Sequence, residues 1–396
     1  RNKNKIRPHH LAFCVIQTQT INRKQKDTAS MAVKVKKSFL ASMAIGCSLM
    51  AAWSFLDTDP IYGSRLRFLI QQPFATRGLA LAPYDKTITD PALLPDWTKN
   101  IKNVWEPVED TDTPLFWYIP KAGGYTLFDI LWRCIFLTTA SSRSPSNKNE
   151  LYVKNWQAGY SALNVRTNSK WQINRAEKLD AVASGEADVY FSEFLNYFSE
   201  QLFNSTYQGR VFAMFRHPAK RNIDQFFYRQ WNSKDRHFDP ELAAMTIEEF
   251  AKSDKMIENF VTRQILGMKD SKQDIKAKDV ELAKNIMREK ILVGLFEPRW
   301  YESSVIRFER YFGWWEEFDI ADNITVNNCH YKEINQNQHT GVHPQYRAEE
   351  DIFRLLTIRN WADTELYFYA KVLYHQQAKL LSEYSSLTTA FPTYNK

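Results

Sequence analysis

Several things that this 396-residue sequence lacks narrow its function. No Gly-x-x-x-x-Gly-Lys-[Ser/Thr] run occurs, so the Walker phosphate loop is missing and a nucleotide kinase or ATPase is disfavoured. The histidines, among them His9, His10, His330, His339 and His343, show no convincing ligand spacing with Cys or Asp, so no metal site emerges. Internal repeats are absent, which argues against a solenoid. A basic surface on the fold is also missing, although the net charge is +7. Residues 1–37 hold ten Lys/Arg and one Asp, a net +9, while the remainder holds 42 basic and 44 acidic residues, a net −2. A nucleic-acid-binding domain carries its basic stripe on the fold, so no nucleic-acid partner is expected. Disorder throughout is excluded by ordinary proportions of hydrophobic (44%) and charged (24%) residues.

Long apolar runs are scarce, with one exception. Residues 38–56 (SFLASMAIGCSLMAAWSFL) carry no charge and come close to the ~20 residues that span a bilayer as a helix. Lys34, Lys36 and Lys37 precede the run; Asp57 and Asp59 follow it. Positive charge stays on the cytosolic side, so the reading is a cytosolic tail at 1–37 and a signal-anchor at 38–56, with the rest of the chain lumenal. A signal peptide starting at Met31 and a buried core helix are the alternatives; no clear A-x-A cleavage site follows the run. Cysteines are few. Cys14 and Cys47 fall in the tail and the apolar run, leaving Cys134 and Cys329 for the lumenal part. Such a compartment permits a disulfide, and two buried free thiols fit the sequence equally well. Asn204-Ser-Thr and Asn323-Ile-Thr are glycosylation sequons.

Residues 57–113 hold six prolines and no periodic run, the composition of a stem. From 114 to 396 the pattern is that of a folded domain. Short apolar runs at 115–119, 187–192, 210–216 and 291–297, with a weaker one at 161–166, read as strands. Segments 124–137, 176–184, 194–203, 219–231, 280–290 and 300–311 read as helices, as does the tail at 349–381. Near-continuous apolar strands separated by helices predict an α/β domain whose parallel sheet is covered by helices on both faces. Phosphorylated ligands in such folds sit at the carboxyl ends of the strands.

The chemistry is concentrated where the first strand runs into a glycine pair. In Ile119-Pro-Lys-Ala-Gly-Gly-Tyr-Thr the glycines let the backbone approach a ligand, and the following helix start offers amides and a positive dipole end to phosphate or sulfate. Lys121 adds a full charge and Thr126 a hydroxyl. Some 90 residues on comes Arg210-Val-Phe-Ala-Met-Phe-Arg-His-Pro-Ala-Lys-Arg-Asn-Ile-Asp. There Arg216 ends a strand, and its planar fork suits two phosphate oxygens.

These two motifs resemble the 5′-phosphosulfate loop (usually Pro-Lys-Thr-Gly-Gly-Thr-Thr) and the 3′-phosphate segment of the carbohydrate sulfotransferases, as in the heparan sulfate 2-O- and 6-O-sulfotransferases. Asn259-Phe-Val-Thr-Arg-Gln-Ile-Leu-Gly and Ile291-Leu-Val-Gly-Leu-Phe-Glu are similar to later stretches of that family. The resemblance covers roughly residues 114–315. It implies a P-loop-like fold and 3′-phosphoadenosine 5′-phosphosulfate (PAPS) as sulfuryl donor, with no metal. It further implies a glycan hydroxyl as acceptor and a Golgi membrane protein of single-pass type II. The loop Lys121, Ala122, Gly123, Gly124, Tyr125 and Thr126 would hold the 5′ end of the donor, and Lys121 would stabilise charge on the leaving phosphate. Arg216 would hold the 3′-phosphate. Glu193, at the end of the run 187–192, is the expected general base, with His217 as its rival. Two positions depart from the family. Tyr125 replaces a small residue. Asp224 stands where a serine binds the 3′-phosphate, and like charges in contact cost on the order of several kcal/mol. Either the helix turns Asp224 away or Lys220 or Arg221 offsets it; otherwise donor affinity is poor. The alternative reading is therefore a catalytically degenerate, lumenal glycan-binding protein on the same fold.

Overall fold

The computed structural model describes residues 94–381, except 157–158, 232–237, 269, 271–272, 315–319 and 339–342. The tail at 1–37, the apolar run at 38–56 and most of the expected stem lie outside the described residues. Among the described residues, no helix is long and apolar enough to cross a membrane.

Among the described residues, seven strands build one sheet: β1 Thr113–Trp117, β2 Thr139–Ala140, β3 Val153–Asn155, β4 Ser161–Leu163, β5 Val189–Ser192, β6 Gly209–Phe215 and β7 Ile291–Leu295. Their order is β3-β4-β2-β5-β1-β6-β7. All neighbours pair in parallel except β3 and β4 at the edge. β1 lies at the centre, with Leu115 opposite Tyr190 on one side and Val211 on the other. Every residue of β5, β6 and β7 is buried, which is why these strands read as unbroken apolar runs. Phe212 is the hub of the aromatic core, with its ring centroid 5.2 Å from Phe116, 4.9 Å from Phe308 and 5.0 Å from Phe312.

The flanking helices are α1 Gly124–Arg133, α2 Lys170–Lys178, α3 Leu195–Leu202, α4 Pro218–Trp231, α5 Pro240–Ala243, α6 Ile247–Lys252, α7 Phe260–Ile265, α8 Ala277–Lys290, α9 Tyr301–Tyr311, α10 Ile320–Gln338, α11 Asp351–Arg359 and α12 Trp361–Gln376. Pro218 opens α4 where its missing amide costs nothing. The helix expected at 176–184 begins six residues earlier, because Ser169 Oγ accepts from the Gln172 amide and caps α2 there. The single tail helix is two, α11 and α12, separated at Asn360.

The folded unit also starts earlier than residue 114. Trp97, Ile101 and Val104 are buried in the main core. The Trp97 indole donates to Ile265 O at 2.9 Å. Arg210, on β6 and 2% exposed, draws the following residues in. Its guanidinium donates to Asp112 Oδ2 at 2.8 Å, to Glu106 O at 3.0 Å, and to the carbonyls of Asn103 and Pro107. A buried charge survives only when paired and hydrogen-bonded, and this segment supplies the partners.

Cys134 and Cys329 are bonded, joining the end of α1 to α10 across 195 residues of sequence. Closing so long a loop removes much of the unfolded chain's freedom. The Cys134→Ala/Cys329→Ala double variant should lose about 4 kcal/mol of stability by urea titration; no loss would show that the bond merely decorates a helix contact made without it.

Candidate functional site

The carboxyl ends of β5, β1, β6 and β7 converge, and with them the segments that the sequence singled out. The segments just past the strands continue two ladders: the Tyr118 amide, after β1, donates to Ser192 O at 2.8 Å, and that of Phe296, just beyond β7, donates to Phe215 O at 2.8 Å. The chain then turns tightly. Lys121 has φ 62° and Gly123 φ 81°, both left-handed, a cost that only glycine escapes. A Cβ on Gly123 would lie 2.2 Å from the Phe296 ring, and one on Gly124 would lie 2.7 Å from the Phe116 ring. Neither position has room for a side chain. Gly123 caps α1 without a side-chain bond, so the cap residue itself puts no acceptor on the first amides of the helix, the arrangement that attracts anions.

Two sequence motifs meet at this loop. Arg216, at the end of β6, donates from Nη1 to Lys121 O at 2.7 Å, bridging 95 residues of sequence. Its guanidinium also lies over the Phe296 ring, 5.0 Å from the centroid. The Lys121 ammonium sits 3.1 Å from the centre of the Tyr228 ring, on α4. The surrounding charges register on Tyr118: its phenol is pushed up to about 12, chiefly by burial and next by Glu193 and Tyr228, with Arg143 opposing. Glu193 is exposed and stands at the end of β5 among these groups. The residues expected from the sequence, Lys121, Gly123, Gly124, Glu193 and Arg216, thus fall together at the strand ends.

Other expected residues sit differently. Ala122 is buried, its amide donating to Ile119 O. Thr126 is buried too, and its hydroxyl faces the oxygen of Tyr301, which itself donates to Gly123 O at 2.8 Å. Tyr125 is 54% exposed and covered on one side by Arg143, 3.9 Å from its centroid; it projects outward from the helix start. Arg143 in turn pairs with Asp129 at 2.8 Å.

Asp224 is not turned away, nor is it offset as expected. Lys220 is exposed, and the buried Arg221 points toward Asp363 at 3.9 Å. Asp224 bonds Arg216 itself, Oδ2 to Nη1 at 2.5 Å, and its other oxygen lies 3.0 Å from His343 Nε2. Sequence reading missed His343 because it lies far along the chain in a polar stretch with no motif. It missed Tyr301 and Phe296 because both read as ordinary core residues.

His217 serves packing. Its ring lies among Phe353, Tyr367 and Phe368, its Nδ1 accepts from the Ala219 amide at 3.3 Å, and burial, with Lys220, Lys371 and Arg216 nearby, pulls its pKa down to about 4. The Asn259 stretch is also structural. The Asn259 side chain accepts from the Ala362 amide, and Asp363 accepts from the Val261 and Thr262 amides, so α7 and the start of α12 cap each other.

No protein-family model, curated protein or solved structure matches the chain.

A histidine neutral when folded must charge when unfolded in acid. Between pH 6.5 and 4 the unfolded chain binds more protons at His217, so stability falls as pH falls through that window. Going from pH 7 to 4 should cost the wild type about 3 kcal/mol more than His217→Phe, read by denaturant titration at each pH. Equal losses would mean that His217 is not held neutral.

Proposed function

We propose that the chain is a sulfotransferase that moves a sulfuryl group from PAPS to a hydroxyl of a glycan, on a P-loop-like sheet. One observation carries this reading. The strand–Pro-Lys-x-Gly-Gly–helix loop and the Arg-His-Pro strand end, 95 residues apart, are joined by the bond from Arg216 to Lys121 O. A loop with anion-seeking amides, a lysine and an arginine at adjoining strand ends suits a ligand that carries negative charge at two separated points.

The donor supplies a sulfuryl group on a phosphosulfate anhydride. The residues present fit its 5′ end: the start of α1 lacks a side-chain cap, and the tight turn brings backbone rather than side chain to it. At the 3′ end the fit requires Arg216 to exchange Asp224 for phosphate. Within this reading, Lys121 holds charge as it builds on the leaving phosphate, a contribution larger in the reacting state than before it. Glu193 accepts the proton of the acceptor hydroxyl while that oxygen bonds to sulfur and the sulfur–phosphate oxygen bond breaks. His217 takes no part, since its nitrogen faces the backbone. The apolar run at 38–56 belongs to the same reading as a Golgi anchor, with the folded unit lumenal; the disulfide suits that compartment.

The second reading is a non-catalytic glycan-binding protein on the same fold. The bond from Arg216 to Asp224 favours it, because a carboxylate already occupies the cation meant for phosphate.

Calorimetric titration of the full chain with 3′-phosphoadenosine 5′-phosphate, with ADP as control, separates the two. Micromolar binding that ADP does not match is the expected result; a folded chain that binds neither would favour the non-catalytic reading. Lys121→Ala should retain the wild-type melting temperature and lose sulfuryl transfer from labelled PAPS to a glycan mixture. Transfer at the wild-type rate would remove Lys121 from the chemistry.

A further inference from the structure

Asp224 and His343 form an arrangement that the sulfotransferase reading leaves unexplained. One carboxylate bridges two groups, with Oδ2 on Arg216 and Oδ1 on His343. His343 is fixed on its other sides. Its ring stacks on Phe227 of α4, centroids 4.9 Å apart and planes 11° from parallel, and its Nδ1 lies 2.9 Å from Pro344 O. Both ring nitrogens therefore face oxygens that only accept. The Asp224 side chain is 27% exposed, that of Arg216 14% and that of His343 15%, so all three are reachable from solvent yet shielded enough for the charges to interact strongly.

We infer that Asp224 is an internal stand-in for the 3′-phosphate of the donor, and that His343 holds the carboxylate when phosphate displaces it from Arg216. The inference rests on the donor reading above. Without a ligand, Asp224 keeps the Arg216 guanidinium paired and oriented. A 3′-phosphate, with more charge and more acceptor oxygens, takes over the guanidinium. The carboxylate then needs a partner, or it sits uncompensated beside a dianion. Neither Lys220 nor Arg221 provides one: the first is solvated, and the second is buried against Asp363 and the Phe260 ring. His343 is already bonded to the other carboxylate oxygen, so Asp224 can release Arg216 without losing its second partner. The pair thereby sets specificity. A nucleotide lacking the 3′-phosphate brings nothing that displaces Asp224, so it leaves the ion pair intact.

A double-mutant cycle on the full chain tests this, with affinities measured for 3′-phosphoadenosine 5′-phosphate and for adenosine 5′-phosphate. Asp224→Ser should tighten binding of the 3′-phosphorylated ligand by about tenfold and leave the other ligand unchanged. His343→Ala should weaken binding of the 3′-phosphorylated ligand by about tenfold, again without effect on the other. In the Asp224→Ser background, His343→Ala should have no effect. His343→Gln, whose amide still donates to the carboxylate, should fall between wild type and His343→Ala; it also replaces that variant if the alanine form fails to fold. An effect of His343→Ala that persists in the Asp224→Ser background, or one shared by both ligands, overturns the inference while leaving the donor reading standing. Failure of both wild type and Asp224→Ser to bind either nucleotide overturns the donor reading, and the inference with it.

Discussion

The central position of β1 governs this fold. It pairs in parallel with β5 on one side and β6 on the other, and nearly all of its residues are buried. A strand in that position has its register fixed from both sides, because a one-residue slip would exchange every side chain between the two packed layers. Parallel pairing then brings the ends of β5, β1 and β6 to the same edge, and β7 follows by pairing with β6. The backbone groups just past those ends are the ones that the sheet leaves unpaired, and the chain meets that need locally. Tyr118 and Phe296 extend the ladders by one bond each, and the loop closes onto α1 at Gly123. The site is thus the place where a buried sheet runs out of partners.

The polar groups inside the fold follow the same economy. Arg210 lies on a fully buried strand, and residues 103–112 wrap it with a carboxylate and three carbonyls. Removing one partner from such a cluster is far more damaging than replacing the whole by apolar residues, so the segment before β1 is tied to the sheet. Asn259, Asn360 and Asp363 do comparable work between α7 and α12, where helix-end amides that would otherwise be orphaned find side-chain acceptors. Residues that look functional in a linear motif, Asn259 and Thr262 among them, are consumed by this capping.

How much of this was legible in the sequence depended on length and on period. The strands β5, β6 and β7 announced themselves because burial on both faces leaves a continuous apolar run. β2 and β3, with two and three residues, are too short to carry any period and went unread. Helix α2 was misplaced because its stripe of charged residues hides the periodicity, while the cap at Ser169 gave the true start. Of the adjacent aromatics on α4, Phe226 is buried and Tyr228 is exposed beside Lys121, as a helical turn of 100° per residue requires. The glycine pair was legible since it combines a strand, a turn and a helix start within ten residues. His343 was not, since a contact between distant segments leaves no local trace.

Asp224 shows where a reading by motif and a reading by physics part. By motif it is a defect, a carboxylate where a hydroxyl belongs. By physics, an arginine at a strand end that is only 14% exposed has to be satisfied even when no ligand is present, and a hydroxyl does that poorly. With a serine there, Arg216 would retain the Lys121 carbonyl and the Phe296 ring and would face a cleft with net positive charge. With Asp224 that charge is offset, and the second carboxylate oxygen lies 3.0 Å from His343 Nε2. The energetic consequence is a site whose empty state is stabilised, so any anion that enters must outcompete a group already in place. A strong and doubly charged ligand meets that condition more readily than a weak one. Within the donor reading proposed above, the carboxylate raises the threshold for phosphate at Arg216 without removing the guanidinium.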